Sequence, residues 1–360
     1  MIGKPGLQYL QSARRTLMIR SITSLVLICA SLQLAPLPAS ALTIDTVPVG
    51  NPGNAGEVQI QGTFGNVAYH YRIGATEVTN AQYAAFLNAK AASDPLGLYN
   101  PSMHFNPNIG IFGGGGITRS GSSGNFSYAV KTDMGGKPVN YVSWYDSIRF
   151  VNWLNNGQGT GDTETGAYTI LGGTPTPSNG ASIIRNAGAI WFLPTENEWY
   201  KAAYYEPAAQ GGDVDNYWLY PTASNSEPAI ATANGMGDIS NPGENVVNYA
   251  GGADWDGQDG NLTTVASAGT FSQSFYGTSD QAGNVYEWNE SLGFGSFRGM
   301  RGGAFEDTLD SLKASYRFDI HAVYEDYFFG FRVASVPEPS TLALAALGIL
   351  GLLIAARRKR

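Results

Sequence analysis

The sequence predicts an α+β domain with little regular secondary structure. Three observations carry that reading. Periodic apolar runs are few and short, and they stand among long stretches rich in Gly, Asn, Ser and Thr. Only three stretches read as helices, each with its own start signal. The remaining apolar residues fall in short, scattered runs, so no strand–helix–strand alternation builds a wound parallel sheet. No internal repeat is visible.

Residues 1–41 come off the count first. They hold Lys4, Arg14, Arg15 and Arg20 and no acid, then an apolar run from Ile22 to Leu34, then Ala39-Ser40-Ala41. A basic start, an apolar middle and an Ala-x-Ala exit describe a secretory signal peptide. The single cysteine, Cys29, lies inside it. The predicted mature chain therefore has no disulfide, no zinc thiolate and no thiol nucleophile.

The body, residues 42–335, is long enough for a core of its own. Removing the basic residues of the two ends leaves 13 basic against 29 acidic side chains over residues 42–338, a charge near −16. Such a surface argues against nucleic acid and anionic lipid, and favours cations or neutral polyhydroxylated partners; solubility alone explains it equally well.

Within the body, "EVTNAQYAAFLNA" has Thr79 three residues before Gln82, a capping box, with Tyr83, Phe86 and Leu87 on one face. "VSWYDSIRFVNWLN" repeats the device with Ser143 and Asp146, ahead of Ile148, Val151 and Leu154. "LPTENEWYKAAYY" does so with Thr195 and Glu198, ahead of Trp199 and Ala202-Ala203. Large apolar faces like these are read as core. "GIFGGGGITRSGSSG" (110–124) lacks the Gly-Lys-Ser/Thr ending of a phosphate loop and reads as a flexible surface loop. "GQGTGDTETGAYTILGGTPTPSNGAS" (157–182) reads as turn-linked short strands.

The last segment, 336–360, holds Pro337-Glu338-Pro339, a charge-free run from Thr341 to Ala356, and then Arg357, Arg358, Lys359 and Arg360. As a helix that run spans roughly 24 Å, short against a hydrocarbon core of about 30 Å. This arrangement resembles the PEP-CTERM sorting signal. The resemblance implies export, the secretion machinery and an exosortase as partners, and cleavage near the motif. It also implies membrane residence through the helix until processing. Delivery would be to the surface or exopolysaccharide matrix of a Gram-negative bacterium. A simple tail anchor is the alternative, and it leaves Pro-Glu-Pro unexplained.

Four stretches of the body line up in order: "YRIGATEVTNAQYAAFLN" (71–88), "PVNYVSWYDSIRFVNWLN" (138–155), "FLPTENEWYKAA" (192–203), and "DQAGNVYEW" (280–288) with "RGGAF" and "GFRV" behind it. Together they resemble the sulfatase-modifying factor family, whose best-known members are formylglycine-generating enzymes. The resemblance implies a C-type-lectin-like fold, often stabilised by calcium. Matching the family's motif puts one calcium site at Asp280, Gly283, Val285 and Glu287. A second maps onto Asn248, Tyr249, Asp259 and Asn261. Calcium takes six to eight oxygens, carboxylates mixed with backbone carbonyls, which both stretches can supply; plain turn chemistry uses the same residues.

In catalytic members a Gly-Gly-Ser turn precedes two cysteines that hold copper(I). Here Ala304 replaces the serine, and the cysteine positions fall on Asp307 and Leu312. A carboxylate and a leucine offer copper(I) nothing comparable to two thiolates. No catalytic residue is assigned. His70, His104 and His321 show no metal spacing, and the acid pairs Glu306/Asp307 and Glu325/Asp326 read as solvated charges. The remaining expectation is a binding surface over 301–332, with Phe305, Asp307, Asp310, Arg317, Tyr324 and Tyr327 as candidates. Aromatic rings and carboxylates suit a carbohydrate such as exopolysaccharide, or a peptide, and the same residues serve core packing equally well. A thiol-free enzyme and a purely structural matrix component are the alternatives.

Overall fold

Each predicted helix begins where its capping box places it. The structure, a computed structural model, describes residues 41–104, 115–255, 261–293 and 295–337. The predicted signal peptide with Cys29, the candidate ligand Asp259, and Glu338, Pro339 and the apolar tail lie outside the described residues.

Helix α1 (Asn80–Lys90) starts at Thr79, whose hydroxyl accepts from the Gln82 N–H while the Gln82 amide oxygen accepts from the Thr79 N–H. Helix α2 (Trp144–Asn155) starts the same way with Ser143 and Asp146, and α3 (Glu196–Tyr204) with Thr195 and Glu198. Each box satisfies two of the N–H groups that a helix start leaves over.

Strands β1 (Thr46–Val49), β2 (Glu57–Gln59), β3 (Gly62–Phe64) and β4 (Tyr71–Gly74) precede α1. Between α1 and α2 lie β5 (Ile117–Ser120) and β6 (Ser127–Val130). β7 (Trp191–Phe192) leads into α3, and β8 (Ala229–Ile230) and β9 (Val246–Val247) follow it. The C-terminal part adds β10 (Tyr286–Leu292), β11 (Phe297–Arg301), β12 (Phe318–His321), β13 (Phe329–Gly330) and β14 (Ala334–Ser335). One four-stranded sheet runs β1-β4-β14-β7, antiparallel throughout. A second runs β12-β11-β10-β13, with β13 parallel to β10.

The predicted helix faces are core. Phe86 and Phe331 each meet the Phe150 ring at 5.4 Å between centroids, joining α1, α2 and the C-terminal segment. α2 is covered on nearly every side, polar residues included. That burial explains one departure from the sequence reading. Segment 157–182 forms no strand, because its backbone groups bond to side chains of α2 and of Asn156, which caps its end. The Asn152 amide donates to the Thr163 and Tyr168 carbonyls, and Asn156 to those of Asp162 and Thr165. Arg149 donates to the Thr174 and Pro175 carbonyls and pairs with Glu164 at 2.7 Å.

A second departure concerns 110–124. Residues 105–114 lie outside the described residues, but the rest is not a free surface loop: Ile117 is buried and β5 pairs with β6. A Cβ on Gly116 would sit 2.4 Å from the Asn80 side chain. The glycine is what lets this strand approach the helix start. Among the described residues no helix is long and apolar enough to cross a membrane.

Candidate functional site

The stretch that follows β11 folds back on itself. Gly302 and Gly303 have φ of +102° and +72°, and a Cβ on Gly303 would lie 2.9 Å from the Leu312 side chain. Only glycine adopts that turn without strain. Asp307 closes it, accepting from the Ala304 N–H at 2.9 Å. Burial raises the Asp307 carboxyl, and a hydrogen bond from Tyr286 offsets part of that shift. Leu312 is fully buried against Tyr220, Val247, Tyr249 and Ala282. The two positions that carry copper thiolates in the resemblance are thus a turn-closing carboxylate and a core leucine.

Two of the surface candidates turn out to be structural. Phe305 is 3% exposed and packs on Met134, Leu262 and Val285, because the Gly-Gly turn points it inward. Arg317 donates from Nε to the Glu196 carboxylate at 2.9 Å and pairs with Asp319. Arg301 meets the same Glu196 at 2.8 Å. Asp310 is exposed and pairs with Lys313 at 2.6 Å. Tyr324 is 56% exposed, its ring edge-on to His321. These two have partners of their own, apart from the rest.

What the structure does bring together is a group around Tyr327. Its hydroxyl donates to the Glu306 carboxylate, its ring lies 6.1 Å from Phe305, and its N–H donates to Asp326 at 2.8 Å. Tyr141 joins them: its N–H donates to the Asp326 carbonyl at 2.9 Å. The Tyr141 hydroxyl is buried with no hydrogen-bond partner, and its backbone has φ of +56°. A left-handed tyrosine costs on the order of 1–3 kcal/mol and persists where surrounding structure holds it, commonly at binding sites. Sequence offers no sign of this conformation.

Nor are the adjacent acids solvated, as the sequence reading had them. Glu325 turns away from Asp326, accepts a hydrogen bond from the Asn100 amide, and meets the Asp146 carboxyl. Burial and that neighbour push Glu325 up to about 8, and burial brings Asp146 to about 6. In the sequence Asp146 registers only as a capping residue.

The expected calcium positions differ in fit. At the first, both oxygens of Glu287 are taken: Arg332 donates to them at 2.5 and 2.6 Å, and the Trp199 indole donates at 2.7 Å. Glu287 therefore does not fit a calcium ligand; a guanidinium already neutralises it. Asp280 accepts one bond, from the Ala266 N–H at 2.6 Å. Gly283 presses against the Asn248 carbonyl, and Val285 is core. Nearby Glu77 is buried with neither oxygen partnered, and burial and Asp280 raise it well above the usual range. At the second position the Asn248 Oδ1 is buried and unpartnered, which fits an oxygen ligand. There the Asn261 carbonyl accepts from the Asn248 amide at 2.8 Å, and that of Tyr249 from the Gly252 N–H at 3.2 Å. Among the described residues no three His, Cys, Asp or Glu side chains form a group able to hold a metal.

The profile of the sulfatase-modifying factor enzyme 1-like domain family matches residues 56–336, well over half of the chain. The chain belongs to that family. Residues 335–360 match the PEP-CTERM protein-sorting motif. The protein is thus an exosortase-sorted member of the sulfatase-modifying factor family, exported for surface or membrane association in a Gram-negative bacterium. It is 23% identical over 287 residues to a hercynine oxygenase of Mycolicibacterium smegmatis, covering 73% of this chain and 52% of that protein. The chain thus spans about half of that relative's length. It is 26% identical over 213 residues to the chaperone protein LppX of Paenibacillus barcinonensis, covering 55% of this chain and 69% of that one. Among solved structures, CarF superposes with a TM-score of 0.50 at 22% identity, covering 82% of this chain and 99% of CarF. Treponema denticola variable protein 1 gives 0.48 at 21%, covering 84% and 98%. The fold is that of the formylglycine-generating enzymes.

Proposed function

We propose that the family domain of this protein is a binding module for a neutral, hydroxyl-rich ligand such as exopolysaccharide, and not an oxidase. The observation that supports this reading most is the fate of Asp307 and Leu312. One closes a turn and the other is core, and neither supplies the soft donor that copper(I) selects. The proposed contact surface is the Tyr327, Tyr141, Glu306 and Asp326 group. Carboxylates accept hydroxyl hydrogens, tyrosine rings stack on sugar faces, and the unpartnered Tyr141 hydroxyl is left to bond a ligand. A matrix or cell-surface destination would bring such a ligand close. We further propose calcium as a structural ion beside Asn248, supported by its orphaned Oδ1.

Titration calorimetry of the domain with the producing strain's exopolysaccharide tests the reading. Saturable binding lost in Tyr327→Ala and Glu306→Gln supports it. No binding by a folded domain removes this ligand class.

A second reading, acid–base chemistry without thiols, is favoured by one observation: Glu325, held up to about 8 beside Asp146, carries a proton at neutral pH. It requires that Glu325→Gln abolish cleavage of a bound polysaccharide while leaving its binding intact.

A further inference from the structure

The sorting motif leaves the folded domain with no spacer, and this has consequences for the enzyme that reads it. Val333, Ala334 and Ser335 are buried, the last two as β14, an inner strand between β4 and β7. Val336 still donates its N–H to the Ile190 carbonyl at 3.0 Å. Pro337, the next residue, has no N–H and cannot continue the ladder. The chain advances at most about 3.6 Å per residue, so Pro337 to Pro339 is confined to within about 11 Å of Val336. An enzyme that closes on Pro-Glu-Pro cannot take the residues before it into a groove, because they are the middle of a sheet. On that side it meets folded protein.

The surface it meets has a shape. Next to Val336 opens a cleft of ≈ 380 Å³ lined by Tyr69, His70, Tyr71, Phe192 and the segment 185–189. Its one guanidinium is committed: Arg185 stacks 3.6 Å from the Phe192 ring and pairs with Glu198 at 2.7 Å and Glu290 at 2.8 Å. Three large apolar side chains stand accessible beside the cleft, Tyr69 49%, Ile190 52% and Val336 40% exposed, next to the exposed His70. On a body as acidic as this one, a patch of that kind at the root of the tail is where a neutral partner surface fits.

We propose that this cleft and its rim are the docking surface for the exosortase. The enzyme reads the motif together with the folded domain beside it. The proposal rests on the sorting reading of the tail.

The test uses the full-length precursor in cells that carry the exosortase, with processing followed by pulse-chase. Ala187→Glu and Ile190→Glu alter exposed side chains, and an unchanged melting temperature of each purified domain is the control for folding. Each is expected to slow cleavage at least about five-fold, and a ten-residue Gly-Ser spacer inserted between Val336 and Pro337 brings variant and unaltered cleft to one common rate, since the motif is then read away from the cleft. Cleavage of both variants at the unaltered rate overturns the proposal. So does a difference between variant and unaltered cleft that persists with the spacer, which places the defect in export. Unchanged cleavage with loss of binding to phosphatidylethanolamine–phosphatidylglycerol vesicles overturns it in favour of a membrane-facing patch. Glu338→Ala separates the two readings: if the unaltered chain is cleaved and this variant is not, sorting stands and the cleft variants decide. No cleavage of the unaltered chain overturns the sorting reading and this proposal with it.

Discussion

Replacing Arg332 by methionine removes the only cation that faces Glu287 among the described residues. Arg332 is fully buried and donates four bonds: two to Glu287 and one each to the Gly74 and Ser279 carbonyls at 2.9 Å. Methionine fills much of the volume, so little of the loss is cavity. What remains is a buried carboxylate whose single partner is the Trp199 indole. Removing one member of a buried ion pair costs about 3–5 kcal/mol, a large share of the roughly 5–15 kcal/mol that holds a domain together. Urea unfolding of residues 42–337, followed by tryptophan fluorescence, measures it; Trp199 and Trp288 are both buried and report on this region. The double variant Arg332→Met, Glu287→Leu should recover most of the loss, because it takes both charges out of the core. A single-variant loss below about 1 kcal/mol would refute the reasoning, since an uncompensated buried charge cannot cost so little. Millimolar calcium restoring the stability of Arg332→Met would refute it differently, by showing that Glu287 is open to a divalent ion.

Other expectations concern titration, packing and metal. Glu325 titrates near 4.5 in an unfolded chain and near 8 here, so the folded state holds its proton more tightly. Its stabilising contribution is full below about 4.5 and is lost as pH rises through 8; melting temperature should fall from pH 5 to pH 8.5, and Glu325→Gln should flatten that slope. Leu312→Ala should cost about 2–5 kcal/mol in the same urea assay, as a core position does and a pocket position does not. Gly116→Ala should destabilise by forcing aside Asn80, whose amide donates to the Met134, Lys137 and Pro138 carbonyls; the melting temperature reports it. Calcium should raise the melting temperature of the unaltered domain, and Asn248→Ala should abolish the rise.

The parts legible in the sequence are those with local causes. A capping box spans four residues, and all three helices start on theirs. An apolar face three or four residues apart is likewise local, and Tyr83, Phe86, Ile148 and Trp199 are all core. The motif order carried the family and the fold. What stayed hidden depends on partners far along the chain. Glu287 meets Arg332 across 45 residues and Glu325 meets Asn100 across 225, so both acids look solvated or metal-seeking in isolation. Segment 157–182 has turn residues typical of short strands, but α2 offers its backbone better partners than another strand would. Phe305 shows the same limit: its neighbours in sequence are acidic, while its direction is set by the Gly-Gly turn.

The position of β14 also sets an order of events in time. A chain that emerges from its N-terminal end delivers residues 334–335 late, just ahead of the sorting tail, yet they form the inner strand that joins β4 to β7. Until they arrive, β4 lacks one neighbour and β7 has none within that sheet. Phe331 and Val333, which complete the core, are equally late. The sheet therefore closes only when nearly all of the domain has emerged, and the sorting tail is the next segment to follow. Folding and sorting fall in the same short interval, and a variant that slows closure of this sheet would present its motif on an unfinished domain.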